Sequence, residues 1–136
     1  MVEVFEHPIL ELLDNPSPEM DGYTLAVQRF LNLQITGNAY LHPIISETLG
    51  IPVELWNMQS DMVAIVPDGE MDLVDFYQYG QHPNVVEFRK DEVLHAKQPN
   101  PSDPFYGRGW VSACIPAIDL LDSMDKYEQN VLDNQA

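Results

Sequence analysis

The apolar positions change period twice along the chain, from helical to alternating and back to helical. Ile9, Leu10, Leu12 and Leu13 form a short helical cluster that Asn15-Pro16 stops. Ser17-Pro18-Glu19 then opens a second predicted helix. Its apolar positions Tyr23, Val27, Phe30, Leu31 and Ile35 approximate the i, i+4, i+7 template and are predicted as its core face. Gly37 followed by Asn38 ends that helix, since glycine accepts the left-handed conformation past a helix terminus.

Beyond Gly37 the pattern alternates. Six short β segments are expected to pair antiparallel: Ala39 to Leu41 with Ile44-Ile45, Val53 to Trp56, Met62 to Val66, Phe76 to Gly80, Val85 to Phe88, and Val93 to Ala96. Gly50-Ile51-Pro52 and Pro67-Asp68-Gly69 supply turns. Five proline pairs are expected at element boundaries, because each biases its first residue toward extended backbone: His7-Pro8, Asn15-Pro16, His42-Pro43, His82-Pro83 and Asn100-Pro101. Pro43 is expected at an edge or irregular position. Gln98 to Gly109 is a loop by composition. A long helix is predicted from about Trp110 to Asn134, with Val111, Cys114, Ile115, Ile118 and Leu121 as its apolar stripe and Asp119, Asp122, Asp125, Glu128 and Asp133 on the wet side. Pro116 either kinks this helix or opens a shorter one. The stripe is expected to pin the first half on the body. The polar second half, with Met124, Tyr127, Val131 and Leu132, is expected to project or to meet a neighbouring chain. The fold class that follows is α+β: short N-terminal helices, a small antiparallel β region and a long C-terminal helix, in a single domain over residues 1–136.

Charge narrows the function. Six basic residues against 22 acidic ones give a net charge of −16. Such a surface repels phosphate, so tight DNA binding is not expected. The single cysteine, Cys114, excludes an internal disulfide, and its place on an apolar stripe suggests a buried, inert thiol. No apolar leader and no membrane-length apolar run is present, which points to a cytoplasm-like compartment and no membrane partner.

Catalytic chemistry finds little support. His7, His42, His82 and His95 lack metal-ligand spacing with one another. Gly107-Arg108-Gly109 is too short for a phosphate loop, and no Gly-x-Ser-x-Gly elbow occurs. Asp68-Gly69-Glu70-Met71-Asp72 lacks calcium-loop spacing and suits a charged hairpin tip. No catalytic residue, metal or cofactor is assigned. His95, alternating with Leu94, is expected to be a hydrogen-bonded sheet histidine. Tyr40 is expected to bury its ring and keep its hydroxyl at the edge. Trp56 and Trp110 are core or interface aromatics.

Three stretches, in order, resemble the portal proteins of long-tailed bacteriophages. The first is His7-Pro8-Ile9-Leu10-Glu11-Leu12-Leu13 with Asn15-Pro16 after it. The second is Thr36-Gly37-Asn38-Ala39-Tyr40, followed by Pro52-Val53-Glu54-Leu55-Trp56. The third is Asp91-Glu92-Val93-Leu94-His95, then Asp103-Pro104-Phe105-Tyr106-Gly107. Where the family has Gly-x-Ser before its long helix, this chain has Gly107-Arg108-Gly109, with Ser112 later. The resemblance runs over about residues 7–134.

It implies the wing part of a portal subunit, a structural role in the ring at the capsid vertex through which DNA is packaged and ejected. Gly37, Asn38, Ala39, Tyr40, Val93, Leu94, His95, Tyr106 and Gly107 are the motif residues it singles out, all structural. Partners by resemblance are other portal subunits in a ring oligomer, terminase, capsid and tail proteins. The place would be the virion's portal vertex, and the host cytoplasm during assembly. Portal proteins run to several hundred residues, so a truncated, split or remnant subunit is expected. The rival reading from charge alone is a small acidic protein-binding module or DNA-mimic regulator. A hydrolase with a non-obvious site is the third.

Overall fold

A computed structural model describes residues 7–69 and 73–135. Glu70, Met71 and Asp72 of the expected acidic hairpin tip lie outside the described residues. The order is α1 (Pro8–Asp14), α2 (Gly22–Ile35), β1 (Asn38–Ile45), β2 (Pro52–Met58), β3 (Val63–Val66), β4 (Phe76–Gln81), β5 (Asn84–Arg89), β6 (Leu94–Lys97) and α3 (Trp110–Gln135). Single 3-10 turns, Ser60–Met62 and Lys90–Glu92, lead into β3 and β6. The fold is α+β, with all strand pairs antiparallel.

The strands form two three-stranded sheets, β2-β1-β6 and β3-β4-β5. Successive side chains of β1 point to opposite faces, and that alternation builds two cores. Tyr40 joins Met58, Val63, Tyr77 and Val93 between the sheets. Leu41 joins Leu55 of β2 with Leu12 of α1 and Leu25 of α2 beneath the helices. Burying each such side chain contributes roughly 1.5–3 kcal/mol.

Local chemistry sets the ends of the elements. Pro8 occupies the first turn of α1, and His7 Nδ1 accepts from Ile9 N at 3.2 Å. Asn15-Pro16 ends α1 and does a second job. The Pro16 ring is fully buried, and its carbonyl accepts from Leu55 N at 2.6 Å. That bond satisfies an outward donor on edge strand β2, which would otherwise remain open for pairing.

Several expectations need correction. The second helix starts at Gly22, after the Ser17-Pro18-Glu19 segment, because Asp21 is its cap: its Oδ1 accepts from Thr24 N at 2.8 Å. Those hydrogen bonds from Thr24 hold the Asp21 carboxyl below its ordinary pKa. Ser17 instead forms a lone bridge with Met20.

The core face of α2 has the right period and the wrong phase. Tyr23, Val27, Phe30, Leu31 and Ile35 are all exposed, Tyr23 at 79% and Phe30 at 60%. Leu25 is the buried position. The body-facing side continues through Gln28, Arg29, Asn32 and Leu33, half-buried residues at helical spacing. Gln28 Oε1 accepts from Asn57 Nδ2 at 3.1 Å on β2. The helix therefore turns its more polar side to the sheet and its apolar side outward.

Pro43 lies inside β1, not at an element boundary. It faces Leu55, whose N–H points away from β1 to Pro16. The nitrogen of Pro43 correspondingly points away from β2, toward the side where pairing with β6 has already ended at Leu41. The missing donor thus costs no ladder bond.

The helix α3 runs unbroken through Pro116 for 26 residues, about 39 Å. The expected pinning of its first half fails. Val111, Ile115, Ile118 and Leu121 are exposed at 42–62%, and Cys114 is exposed rather than buried. The cause is its point of departure: α3 leaves from the loop packed on the end of α2, and most of its length stays exposed among the described residues.

Candidate assembly interface

Two features stand out on the molecule: a buried polar knot that fixes where α3 begins, and the apolar helix faces that this arrangement leaves outside.

The knot forms around Asn38. Gly37 has φ of 80°, the left-handed region that lets α2 turn at once into β1. Its N–H donates to Leu33 O at 3.1 Å, closing the helix, and its carbonyl accepts from Gln98 N at 2.8 Å. Asn38 is 5% exposed. Its Oδ1 accepts from Gly107 N at 2.7 Å and from His95 Nε2 at 3.0 Å. Its Nδ2 donates to Thr36 O at 3.0 Å and to Gly107 O at 3.4 Å. One amide thus ties the end of α2, strand β6 and the loop before α3.

Glycines permit this approach. A Cβ on Gly107 would fall 2.0 Å from Gly37 O, and one on Gly109 would fall 2.2 Å from Ile35 O. The Gly107-Arg108-Gly109 run is there because two backbones touch.

The loop is braced elsewhere too. Tyr106 Oη accepts from Ile65 N at 2.8 Å on β3, an edge strand of the second sheet. Asn100 Nδ2 donates to Tyr106 O at 2.9 Å, and Asp103 Oδ1 accepts from the N–H groups of Phe105 and Tyr106. Lys97 Nζ donates to Pro104 O. At the helix start Ser112 Oγ donates to Gly109 O at 2.6 Å and accepts from Arg108 Nε at 3.3 Å.

Of the motif residues singled out in sequence, Gly37, Asn38, His95 and Gly107 meet in the knot. Tyr40 stacks on the His95 ring, with centroids 4.3 Å apart, and both meet Tyr77 edge-on. Burial lowers the His95 pKa to about 4, with Lys97 adding to the effect. The Tyr40 hydroxyl is not at an edge. It is buried without a partner among the described residues, and burial, with Tyr106 and Tyr77 close by, raises its pKa. Val93 lies in the inter-sheet core and Ala39 is buried on β1. Leu94 is 54% exposed and stands apart from the rest. Sequence reasoning took Pro16 only as a helix stop and Gly109 only as part of a short glycine run, and gave no role to Gln98 or to Ser60, whose Oγ donates to Asn38 O at 2.7 Å. Their contacts are made by backbone or to backbone, and only the glycines and the proline left a mark in the residue pattern.

The other histidines are dispersed. His42 Nδ1 donates to Glu92 O at 2.8 Å and its ring packs on Phe88. His7 caps α1, and His82 sits in the turn between β4 and β5. Among the described residues, no group of His, Cys, Asp and Glu side chains gathers closely enough to hold a metal ion.

The outer surface is the more unusual feature. Ile9 and Leu13 of α1, the apolar side of α2, and most apolar residues of α3 from Trp110 to Leu132 are exposed, with Val131 half-buried. Monomeric proteins rarely leave contiguous apolar surface on this scale unless it meets a partner.

Comparison with known proteins gives a family and similar chains in solved particles. The family described as "Phage portal protein" matches residues 1–136. A chain in the neck of an empty GTA particle computed with C6 symmetry is 29% identical with a TM-score of 0.80, over 96% of this chain and 36% of that one. A chain in the virion of a native gene transfer agent (GTA) particle is 28% identical with a TM-score of 0.81, over 95% and 36%. A chain in the neck of a native GTA particle computed with C12 symmetry is similar to the same degree, 28% identical with a TM-score of 0.81. An uncharacterized protein of Rickettsia bellii (strain RML369-C) is 25% identical over 98% of this chain and 35% of its own length. The chain thus spans about a third of the length of these relatives.

Proposed function

Because the chain belongs to the phage portal protein family, we propose that it serves as the wing of a portal subunit at the head–tail vertex, as one structural domain over about residues 7–134. The family match over the full chain carries this reading. The outward phase of α2 and the exposed length of α3 support it, since a subunit of a ring keeps apolar faces for its neighbours. The partners are other portal subunits, and through the assembled ring terminase, capsid and tail proteins. The work is mechanical and not enzymatic: the Asn38 knot fixes the direction in which α3 leaves the body, and the helix faces meet their neighbours. The chain is placed in the virion, after assembly in the host cytoplasm.

The test is cross-linking mass spectrometry on purified particles from producing cells. Cross-links from α2 and α3 to neck and vertex components are expected. Absence of the chain from particles, or cross-links spread evenly over the head shell, would overturn the reading.

A further inference from the structure

Two consecutive residues fasten the loop before α3 to both sheets. Tyr106 Oη accepts from Ile65 N at 2.8 Å. The next residue, Gly107, donates its N–H to Asn38 Oδ1 at 2.7 Å. Ile65 lies on β3, an edge of the sheet β3-β4-β5, and Asn38 lies on β1, the middle of the sheet β2-β1-β6. Alternate N–H groups of an antiparallel edge strand point away from its neighbour. Ile65 N–H is such a donor. The Tyr106 hydroxyl therefore stands where a further strand would otherwise pair with β3.

The connection from this anchor to α3 has no slack. Glycine ordinarily lets a chain flex, but the glycines here are packed. A Cβ on Gly37 would fall 2.4 Å from the Arg108 carbonyl carbon and 2.5 Å from Gly109 N, and one on Gly109 would fall 2.2 Å from Ile35 O. Residues 107–109 thus lie on residues 35–37 backbone against backbone, and Ser112 Oγ closes the first turn of α3 on Gly109 O at 2.6 Å.

On its other side the loop keeps its own shape. Asp103 Oδ1 accepts from Phe105 N and Tyr106 N, and Asn100 Nδ2 donates to Tyr106 O. These bonds stay inside the loop, so they carry Tyr106 along with it and do not hold it on β3. The loop is anchored on the body at Ile65, at Asn38 and, on the exposed side, through Lys97 and Pro104. The helix beyond is 26 residues long, about 39 Å, and mostly exposed, so a push on its far end acts on this root through a long lever.

We propose that Tyr106-Gly107 is a latch that couples the seating of α3 to the closure of the β3 edge: displacing the root of α3 draws the Tyr106 hydroxyl off Ile65 and opens that edge. The packed glycines cannot absorb the movement, so it passes to Gly107 and from there to Tyr106. By linkage, whatever draws Tyr106 off β3 loosens the root of α3 to the same extent. The coupling follows from these contacts and does not depend on the portal reading.

Amide hydrogen exchange of the chain, followed residue by residue by nuclear magnetic resonance, tests the latch. Gly109→Ala places a Cβ against Ile35 O and shifts the root without touching β3. Ile65 N–H should then exchange about tenfold faster or more, the equivalent of one lost hydrogen bond, while the amides of the β4–β5 ladder keep their parent rates. Tyr106→Phe removes the acceptor and leaves the root seated. In that background Gly109→Ala should add less than about twofold at Ile65, because no hydroxyl is left to withdraw. Should Gly109→Ala fail to fold, Asn38→Ala unseats the root by removing the Gly107 bonds, and the same pattern is expected. Parent-like exchange at Ile65 after the root is shifted, an equal rise along the whole β4–β5 ladder, or an undiminished effect of the root variant in the Tyr106→Phe background would each overturn the proposal.

Discussion

Asn38 illustrates how much a single buried amide can hold. All its hydrogen-bonding capacity is used: Oδ1 accepts from Gly107 N and His95 Nε2, and Nδ2 donates to Thr36 O and Gly107 O. Asn38→Ala removes these bonds and strands a buried N–H on Gly107, so a loss of about 2–4 kcal/mol is expected. Urea unfolding of the purified chain measures it, and a change below about 1 kcal/mol would show that the knot is not what holds the loop. His95 gives the knot a pH dependence with a defined sign. Its folded pKa is lowered to about 4 from an ordinary 6.5, first by burial and then by Lys97. The unfolded chain therefore takes up the proton at a higher pH than the folded one. The stability associated with the neutral ring is fully present above about pH 6.5, is lost as pH falls toward 4, and changes no further below that. His95→Gln keeps an N–H donor for Asn38 and removes the titration. Its urea midpoint should vary less across that window than the parent's, and identical pH profiles would contradict the assignment.

At the scale of elements, the residue pattern revealed more about type than about orientation. All six strands and the long helix were legible, because alternation and helical period survive whatever a segment packs against. The β1 turn at Gly37-Asn38 was legible too, since few residues close a helix and open a strand in one step. Phase was not legible for α2. A helix with an apolar side is ordinarily read as turning that side to its own core, but here Leu25, Gln28, Arg29 and Asn32 face the sheet. Nothing in a single chain's pattern distinguishes a face kept for the core from one kept for a partner. The same ambiguity misplaced the stripe on α3 and with it Cys114. Half of the knot escaped for another reason: Gln98 and Gly109 act through their backbones, to which side-chain patterns are blind. The inverted phase has a direct consequence. Leu25 is 4% exposed and Phe30 is 60% exposed. Leu25→Ala should cost about 2–5 kcal/mol, whereas Phe30→Ser should change the stability of the chain alone by no more than about 0.5 kcal/mol. Thermal melts of the two variants give the comparison. If Phe30→Ser proved the more damaging, α2 would have to sit the other way round.

For the whole molecule, two surface properties pull in opposite directions. Exposed apolar helix faces favour association, while a net charge of −16 opposes indiscriminate contact and keeps the chain dispersed. The acids are spread across turns and the outer side of α3, so the field is general and not a phosphate-like run. The described cations are largely engaged: Lys97 with Pro104, Arg108 with Ser112, Lys126 with Asp122, and Arg89 with Asp91 and Glu92. Tight binding to duplex DNA gains most of its strength from lysines and arginines that displace condensed counterions, and its affinity falls steeply with salt. This chain has six basic residues in all and presents them among 22 acids. The chain is therefore expected to show no saturable binding to a short duplex at physiological salt in fluorescence polarisation, up to about ten micromolar protein, the weak end of ordinary non-specific DNA binding being about 100 micromolar. Lowering the salt should not rescue binding, since repulsion between like charges strengthens as screening is removed. Sub-micromolar binding that weakens as salt is added would mean that the few cations act together on one face, and the reading of the acidic surface as non-adhesive would fail.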